Sequence, residues 1–180
     1  MSLNLYNIEN APTSEIAEEL TKSKAAFGFV PNLHKALAAS NQALTAYKFL
    51  HNAFQNSSFD AAELTVVWQT INYYHQCHYC LPAHTMIANM MKVDADLIEA
   101  LYNGETLKDP KLAALQATTL EITESRGHLS AETKAAFFEA GYSEQHIVEI
   151  VLGLSQKVLS NYINHLAETP IDEQFSAFAK

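Results

Sequence analysis

The stretch His75–His84 reads HQCHYCLPAH and contains both cysteines of the chain together with three of its eight histidines. If the stretch is helical, Cys77 and Cys80 lie at i and i+3, and His84 follows Cys80 at i+4. These spacings place the three side chains on one face of a helix. Two thiols and an imidazole on one face can perform redox chemistry, bind a metal ion or pack in a hydrophobic core.

Pro82 indicates where this helix begins, because proline is tolerated in the first turn of a helix but not in its interior. We therefore predict a helix start at about Cys77 to His78, after a bend over Tyr73 to Gln76. The partial positive charge at a helix N-terminus stabilises a thiolate and lowers the pKa of a cysteine there. His84, one turn after Cys80, can then serve that sulfur as a base or an ion-pair partner.

The composition predicts an all-α protein with a single domain over residues 1–180. Hydrophobic residues make up 48% of the chain, and only five glycines and five prolines occur. The net charge of −9, with 11 lysines and arginines, disfavours nucleic acid as a partner. No apolar run is long enough for a membrane span, and no signal peptide is apparent at the N-terminus. We expect a cytoplasmic protein, where paired cysteines are more often catalytic or metal-binding than structural.

Helix start and stop signals divide the chain into a bundle of about eight helices. The predicted helices cover about 13–27, 33–39, 42–55, 60–72, 77–91, 94–101, 110–124, 130–141 and 143–166. In the last of these, the pattern predicts a buried stripe of Ile147, Ile150, Val151 and Leu154. Pro170 stops this helix, and the residues after it are predicted to form a tail.

The helix after Asp60 carries two stripes of different character. Asp60 and Glu63 form a capping box, which assigns Glu63 to the helix start. The apolar stripe, predicted to be core, consists of Leu64, Val67, Trp68 and Ile71. The polar stripe, which can border a site, consists of Thr65, Gln69, Asn72 and Gln76.

Two alternatives to redox chemistry remain open for the cysteine stretch. Free cysteines are often buried as small hydrophobic residues. Zinc could be held by Cys77, Cys80 and His84, with His75 as an optional fourth ligand, but structural zinc sites usually take a second ligand pair from a distant segment. The only distant polar candidate is Asn164–His165, so we predict no metal site. A thioredoxin-type motif is disfavoured because the chain shows no βαβ pattern.

The order Cys77-His-Tyr-Cys80-Leu-Pro-Ala-His84-Thr85, after a helix rich in Val and Ile, resembles the alkylhydroperoxidase D-like branch of the carboxymuconolactone decarboxylase family. Residues 28–33 (GFVPNL) resemble the segment before the core in its peroxidase-related members, and residues 161–167 (NYINHLA) resemble their C-terminal segment. The resemblance covers most of the chain and implies one such domain with a core at about 42–125. It also implies an all-helical fold that assembles into homo-oligomers (dimers, trimers or hexamers).

The resemblance further implies a thiol-dependent peroxidase acting on hydrogen peroxide or organic hydroperoxides. Cys80 would be the peroxidatic cysteine, Cys77 the resolving one and His84 part of the proton relay. The pair would cycle through a redox-active disulfide without another cofactor, and a dithiol, thioredoxin-like or lipoamide-like donor would reduce it.

The chain departs from the family pattern at two positions. The relay glutamate of the family would fall at Thr65, and Glu63 is turned about 200 degrees away from that position on a helix with 3.6 residues per turn. Some members have a histidine where this chain has Tyr79. Candidate supporting residues are Thr65, Glu63, His78, Tyr79, His75, Asn161 and His165.

Two other classes of function remain open from the residues alone. One is a non-catalytic protein that binds a metal or oligomerises in response to redox state. The other keeps the family fold but catalyses a non-redox reaction on a small carboxylate or ketone.

Overall fold

A computed structural model describes residues 3–180, and within that range the chain forms helices and no β-strand. The all-α prediction is confirmed, and eight of the helices have seven or more residues. The α-helices are α1 (Ser14–Phe27), α2 (Asn32–Leu37), α3 (Asn41–Gln55), α4 (Ala61–Tyr74), α5 (Cys80–Met90), α6 (Ala95–Asn103), α7 (Pro110–Glu124), α8 (Ala131–Glu139) and α9 (Glu144–Ala167). Short 3-10 helices cover Ile8–Asn10 and Glu173–Phe178. No helix in the described range is long and apolar enough to span a membrane.

The helix starts agree with the capping signals of the sequence. The backbone N–H of Glu63 donates to the Asp60 carboxylate at 2.9 Å, and the Glu63 carboxylate accepts from the Asp60 N–H at 3.0 Å, so the predicted capping box is confirmed. Asp109 caps α7 directly before Pro110. Gly28 adopts a φ of 81° after α1, a conformation that glycine reaches without steric cost.

Helix α4 lies at the centre of the bundle and packs against α5, α6, α7 and α9. Its predicted apolar stripe is buried, with Trp68 only 1% exposed. The predicted stripe of α9 is partly wrong, because Ile150 is buried whereas Val151 is 45% exposed. The sequence pattern of α9 is ambiguous because this helix also buries a row of polar residues, described below.

The predicted start of the cysteine helix is two to three residues too early, since α5 begins at Cys80. Helix α4 continues to Tyr74, so the predicted bend over Tyr73 to Gln76 is also placed too early. The N–H of Cys77 bonds to the carbonyl of Asn72 at 3.0 Å, and Gln76 has a φ of 52°. This is a Schellman-type helix end in which Gln76 takes the left-handed position that glycine usually fills, so the sequence lacks its usual signal. Pro82 is the third residue of α5, within the tolerated first turn.

The prediction that the residues after Pro170 form a tail is wrong. The Asp172 carboxylate accepts hydrogen bonds from the Tyr79 hydroxyl at 2.6 Å and from the Asn32 backbone N–H at 3.1 Å. Phe175 is buried and packs edge-on against Tyr79. The C-terminal segment therefore connects the loop before α5 to the start of α2.

We expect that Gly153→Val will destabilise the contact between α9 and α3. A Cβ atom on Gly153 would lie 2.8 Å from the ring of Phe54, which is fully buried and cannot easily move. The expected loss in the free energy of unfolding is about 2 kcal/mol, measured by urea denaturation. Ser155→Val adds the same side chain on the exposed face of α9 and should change stability by less than about 0.5 kcal/mol. Equal losses in the two variants would contradict the close packing.

Candidate active site

The two cysteines meet where the start of α5 faces α9. Both are free thiols and buried. The side-chain amide of Asn164 donates to the sulfur of Cys80 at 3.2 Å and lies 4.0 Å from the sulfur of Cys77. The backbone N–H of Cys80 donates to the Cys77 sulfur at 3.4 Å. The two sulfur atoms are not at the distance of a disulfide bond, but each affects the pKa of the other.

The surroundings of the two sulfur atoms drive their pKa values in opposite directions. Burial raises the pKa of Cys80, but the hydrogen bond from Cys77, the charge of Lys157 and the amides of Asn164 and Asn161 outweigh it, so the pKa is lowered. The hydrogen bond to Cys80, burial and the charge of Cys80 raise the pKa of Cys77. The pair therefore favours a thiolate on Cys80 and a protonated thiol on Cys77.

A buried lysine lies beside this pair. Lys157 of α9 is 0% exposed, and its ammonium group donates to Nε2 of His84 at 3.0 Å. Burial, the charge of Lys157 and His51 hold the pKa of His84 well below its usual range, so the imidazole is neutral. Because Nε2 accepts from the ammonium, the ring proton of His84 lies on Nδ1. His84 therefore has a direct contact with Lys157, which its spacing from Cys80 did not predict.

A cavity of about 1210 Å³ leads to the site and is lined by Cys80, His84 and Lys157. Much of its wall is apolar, including Phe27, Phe29, Leu33, Met86, Ile87, Met90 and Phe175. Phe27 and Met90 are exposed, so the cavity opens to solvent near them.

Among the other ionisable side chains that line the cavity, His34, Tyr47 and His51 form one connected group. Burial, with smaller effects of nearby positive charge, lowers the pKa of His51 to about 4 and that of His34 to about 3. Burial raises the pKa of Tyr47. All three are therefore neutral around pH 7, and their rings contact one another in the order His34, Tyr47, His51. Beyond them, His51 stacks on Trp68.

The polar stripe of α4 borders the site, as predicted for two of its members. The Gln69 amide donates to the Leu81 carbonyl at 3.1 Å, and the Asn72 amide approaches the Cys80 carbonyl at 3.4 Å. Asn161 of α9 donates to the Asn72 side chain at 3.0 Å. These buried amides hydrogen-bond to the first turn of α5 or to one another.

Three of the candidate supporting residues lie in or beside the loop before α5. His75 donates through Nδ1 to the Asn161 side chain at 2.9 Å. His78 is exposed and donates through Nε2 to the Thr169 carbonyl at 2.9 Å. Tyr79 accepts from the Leu33 N–H at 3.3 Å, besides its bond to the C-terminal segment. These three residues join the loop before α5 to its neighbours.

Four of the predicted residues make other contacts or are exposed. Thr65 is buried, but its hydroxyl donates to the Ala61 carbonyl of its own helix at 2.8 Å. Glu63 accepts from Lys111 at 2.8 Å in addition to its capping role. His165 lies on the exposed side of α9, and Gln76 is exposed. The sequence spacing of these residues does not show whether each one lies on a buried or on an exposed face of its helix.

Sequence reasoning did not predict Lys157 as a site residue, and it considered Asn164 only as a distant metal ligand. With Asn161 they lie at i, i+4 and i+7 on α9, and all three are fully buried. A polar stripe at helical spacing was therefore present in the sequence. The apolar stripe of the same helix masks it, because either stripe could have faced the core.

The four side chains considered as zinc ligands are engaged in other contacts. His84 presents Nε2 to the Lys157 ammonium, and His75 bonds to Asn161. Within residues 3–180, no group of three or more His, Cys, Asp or Glu side chains is arranged to hold a metal ion.

Comparisons with known proteins identify the fold. No protein-family model matches the sequence, and no curated protein is detectably similar. An uncharacterized peroxidase-related protein from Ralstonia eutropha JMP134, described as an alkylhydroperoxidase AhpD core, superposes with a TM-score of 0.82 at 18% identity, covering 97% of this chain and 95% of that one. A peroxidase-related protein from Silicibacter sp. TM1040 gives 0.81 at 18% identity, covering 97% and 93%.

A protein described by a different activity has a similar structure. The debrominase Bmp8, as a cysteine-to-alanine variant in complex with 2,3,4-tribromopyrrole, gives a TM-score of 0.75 at 16% identity, covering 99% of this chain and 95% of that one. These likenesses establish an alkylhydroperoxidase D-like fold, as the cysteine stretch predicted. They establish the fold and not the reaction.

We expect Cys80 to be alkylated by iodoacetamide at a pH well below the pKa of about 8.5 of an ordinary cysteine. Because its pKa is lowered, the reactive thiolate persists at neutral pH and is lost only as the pH falls through the lowered value. The measurement is the alkylation rate against pH, with the adduct assigned by fragmentation mass spectrometry.

Asn164→Ala should move the midpoint of this curve to higher pH, since it removes a hydrogen bond to the sulfur. Asn89→Ala is the matched control, because Asn89 lies on α5 and bonds only to the Thr85 carbonyl at 2.8 Å. A wild-type midpoint at or above that of free cysteine would contradict the assignment.

Proposed function

We propose that this protein is a thiol-dependent peroxidase that reduces hydrogen peroxide or organic hydroperoxides, with Cys80 as the peroxidatic and Cys77 as the resolving cysteine. The observation that carries the proposal is the pairing of a low-pKa thiol at Cys80 with a protonated thiol at Cys77, beside a cavity open to solvent. Only the thiolate is a competent nucleophile, and the neighbouring thiol can capture the oxidised sulfur.

The proposed reaction begins when the Cys80 thiolate attacks the terminal oxygen of the hydroperoxide. A sulfur–oxygen bond forms, the oxygen–oxygen bond breaks, and the leaving oxygen takes a proton to become water or an alcohol. Cys80 is then a sulfenic acid. The sulfur of Cys77 displaces its hydroxyl group, which leaves as water with the Cys77 proton, and a disulfide forms.

An external dithiol completes the proposed cycle. It reduces the disulfide by thiol–disulfide exchange, becomes a disulfide itself and returns both cysteines to the reduced state. We propose a thioredoxin-like or lipoamide-like donor in the cytoplasm. We also propose a homo-oligomer, on the resemblance of the motif to the family.

A second candidate is the reductive removal of a halogen from an aromatic ring. The large, largely apolar cavity beside Cys80 and the debrominase that shares the fold favour it. In this reaction the Cys80 sulfur would take the bromine, the ring carbon would take a proton, and Cys77 would displace bromide as the disulfide forms. The same dithiol donor would supply the two electrons.

We expect Cys80→Ser to abolish peroxide consumption coupled to a dithiol donor. Cys77→Ser should still react once, but the product should accumulate as a sulfenic acid on Cys80 that dimedone traps, because the resolving thiol is missing. The measurements are a coupled peroxide assay and the mass of the intact protein. Full activity of Cys80→Ser would contradict the proposal.

The same variants separate the other candidates. Bromide release from a bromopyrrole in a Cys80-dependent reaction, without peroxide consumption, would favour the halogen reaction. Turnover of a small carboxylate or ketone by a variant lacking both cysteines would favour a non-redox enzyme. One bound zinc ion per chain, with both thiols blocked until chelation, would favour a metal-binding protein.

A further inference from the structure

Lys157 carries a positive charge that the fold buries without a carboxylate partner. It is 0% exposed, and the ion pairs formed within residues 3–180 involve other lysines. Burial of an unpaired ammonium group costs several kcal/mol in effective terms, so such a residue needs a compensating anion or a function. The Cys80 thiol lines the same cavity as Lys157, and the charge of Lys157 lowers the pKa of that thiol.

His84 carries an unpartnered hydrogen-bonding atom next to the same lysine. Its Nε2 accepts from the ammonium, whereas its Nδ1 is buried and has no partner among the described residues. The ring is 5% exposed and lines the cavity together with Cys80. A buried N–H without a partner is costly, and a ligand oxygen in the cavity would satisfy it.

We propose that Lys157 and His84 form a two-step proton relay that protonates the oxygen leaving from Cys80, and that the charge of Lys157 balances the Cys80 thiolate before the reaction. This inference rests on the proposed peroxidase function and adds its proton source. Lys157 is a positioning and charge-balancing residue that acts on the leaving oxygen through His84.

The protons and charges balance at each step of the relay. When the thiolate attacks and the oxygen–oxygen bond breaks, the leaving oxygen takes the proton from Nδ1 of His84. Nε2 of His84 takes a proton from the Lys157 ammonium at the same time. The anion and the cation thus disappear together, leaving Cys80 as a sulfenic acid, Lys157 as a neutral amine and His84 neutral in its other tautomer.

The reductive half of the cycle restores the starting state. The external dithiol supplies two electrons and two protons. One proton returns to Cys77, the other enters at Nδ1 of His84 while Nε2 passes its proton back to Lys157, and the negative charge returns to Cys80. The buried site therefore has the same net charge before and after oxidation. Neither state of the cycle therefore holds an uncompensated charge, which would be costly in an interior of low dielectric constant.

The other ionisable groups around Lys157 do not replace it. His51 and Tyr47 face the site from α3 and are neutral around pH 7, because His51 has a lowered and Tyr47 a raised pKa. Cys77 from the preceding loop has a raised pKa and keeps its proton. His34 of α2 lines the same cavity and is also neutral. Lys157 is thus the buried cation of this group, and it takes over the function of the glutamate that is absent at Thr65.

The test compares two oxidants whose leaving groups differ in their need for a proton. tert-Butyl hydroperoxide releases an alkoxide that needs a proton, whereas peracetic acid releases acetate, which leaves as an anion. The rate constant for oxidation of Cys80 is measured in single turnovers for the wild type and Lys157→Gln, at a pH where alkylation shows the Cys80 thiol to be ionised in both proteins. The introduced amide would keep a hydrogen bond to His84 without supplying a proton.

We expect Lys157→Gln to lower the rate constant with tert-butyl hydroperoxide by about 100-fold, the usual contribution of a general acid. The rate constant with peracetic acid should change far less. The alkylation midpoint of Cys80 should also move to higher pH, because the balancing charge is lost. Lys157→Arg should restore the low midpoint without restoring the full rate, since a guanidinium keeps its proton.

Two further variants serve as controls for this test. Lys134→Gln is the matched control, because Lys134 is an exposed lysine of α8 that does not line the cavity, and it should react with both oxidants like the wild type. Lys157→Met provides a second uncharged variant that should be at least as stable as the wild type, because an apolar side chain removes the cost of the buried charge. Thermal denaturation of each variant shows that it is folded.

Each outcome has one interpretation. Equal losses with both oxidants would overturn the relay, and an unchanged alkylation midpoint would overturn the charge balance. A wild type that reacts with neither oxidant would overturn the peroxidase function and the relay with it, whereas a wild type that reacts with both, together with an unaffected Lys157→Gln, would overturn this inference alone.

Discussion

The buried ammonium of Lys157 is the constraint around which this structure is arranged. A lysine without exposure needs hydrogen-bond acceptors and a negative charge, and the protein offers it the imidazole of His84 and the acidic thiol of Cys80. Lys157 lies on α9, whereas His84 and Cys80 lie on α5. The two helices therefore have to meet at this point, and the packing of both against α4 keeps them there.

A set of buried amides makes this arrangement possible. Asn164 donates to the Cys80 sulfur, and Asn161 and Asn72 bond to each other behind the first turn of α5. Amide donors stabilise a thiolate without adding a charge of their own, so they help to lower its pKa at a smaller cost than a second cation would. The C-terminal segment completes the site from the other side, where Asp172 holds the Tyr79 hydroxyl.

The fold alone leaves the chemistry open, since a debrominase and peroxidase-related proteins share it. What distinguishes a site on such a fold is the set of groups that supplies the electrons and the proton. Here a dithiol is available for the electrons, and a neutral imidazole backed by an ammonium is available for the proton.

The sequence by itself determined the helical architecture, the capping residues and the position of the two cysteines near a helix start. These features depend on local signals, such as the Asp60 and Glu63 box or the place of Pro82, which act within one or two turns of the chain. The sequence also indicated the polar stripe of α4. It did not predict that Gln76, just after the end of α4, would adopt a left-handed conformation, because no glycine marks that helix end.

Only the tertiary structure decided which polar residues meet the cysteines. His84 follows Cys80 by one helical turn in the sequence, but only the approach of α9 places Lys157 at its Nε2. Lys157 lies 73 residues from His84 in the chain and Asn164 lies 84 residues from Cys80, and their side chains could as well have faced solvent on a free helix. The packing of α9 against α3 and α4 decided between these two possibilities, because it encloses one face of the helix and leaves the other exposed.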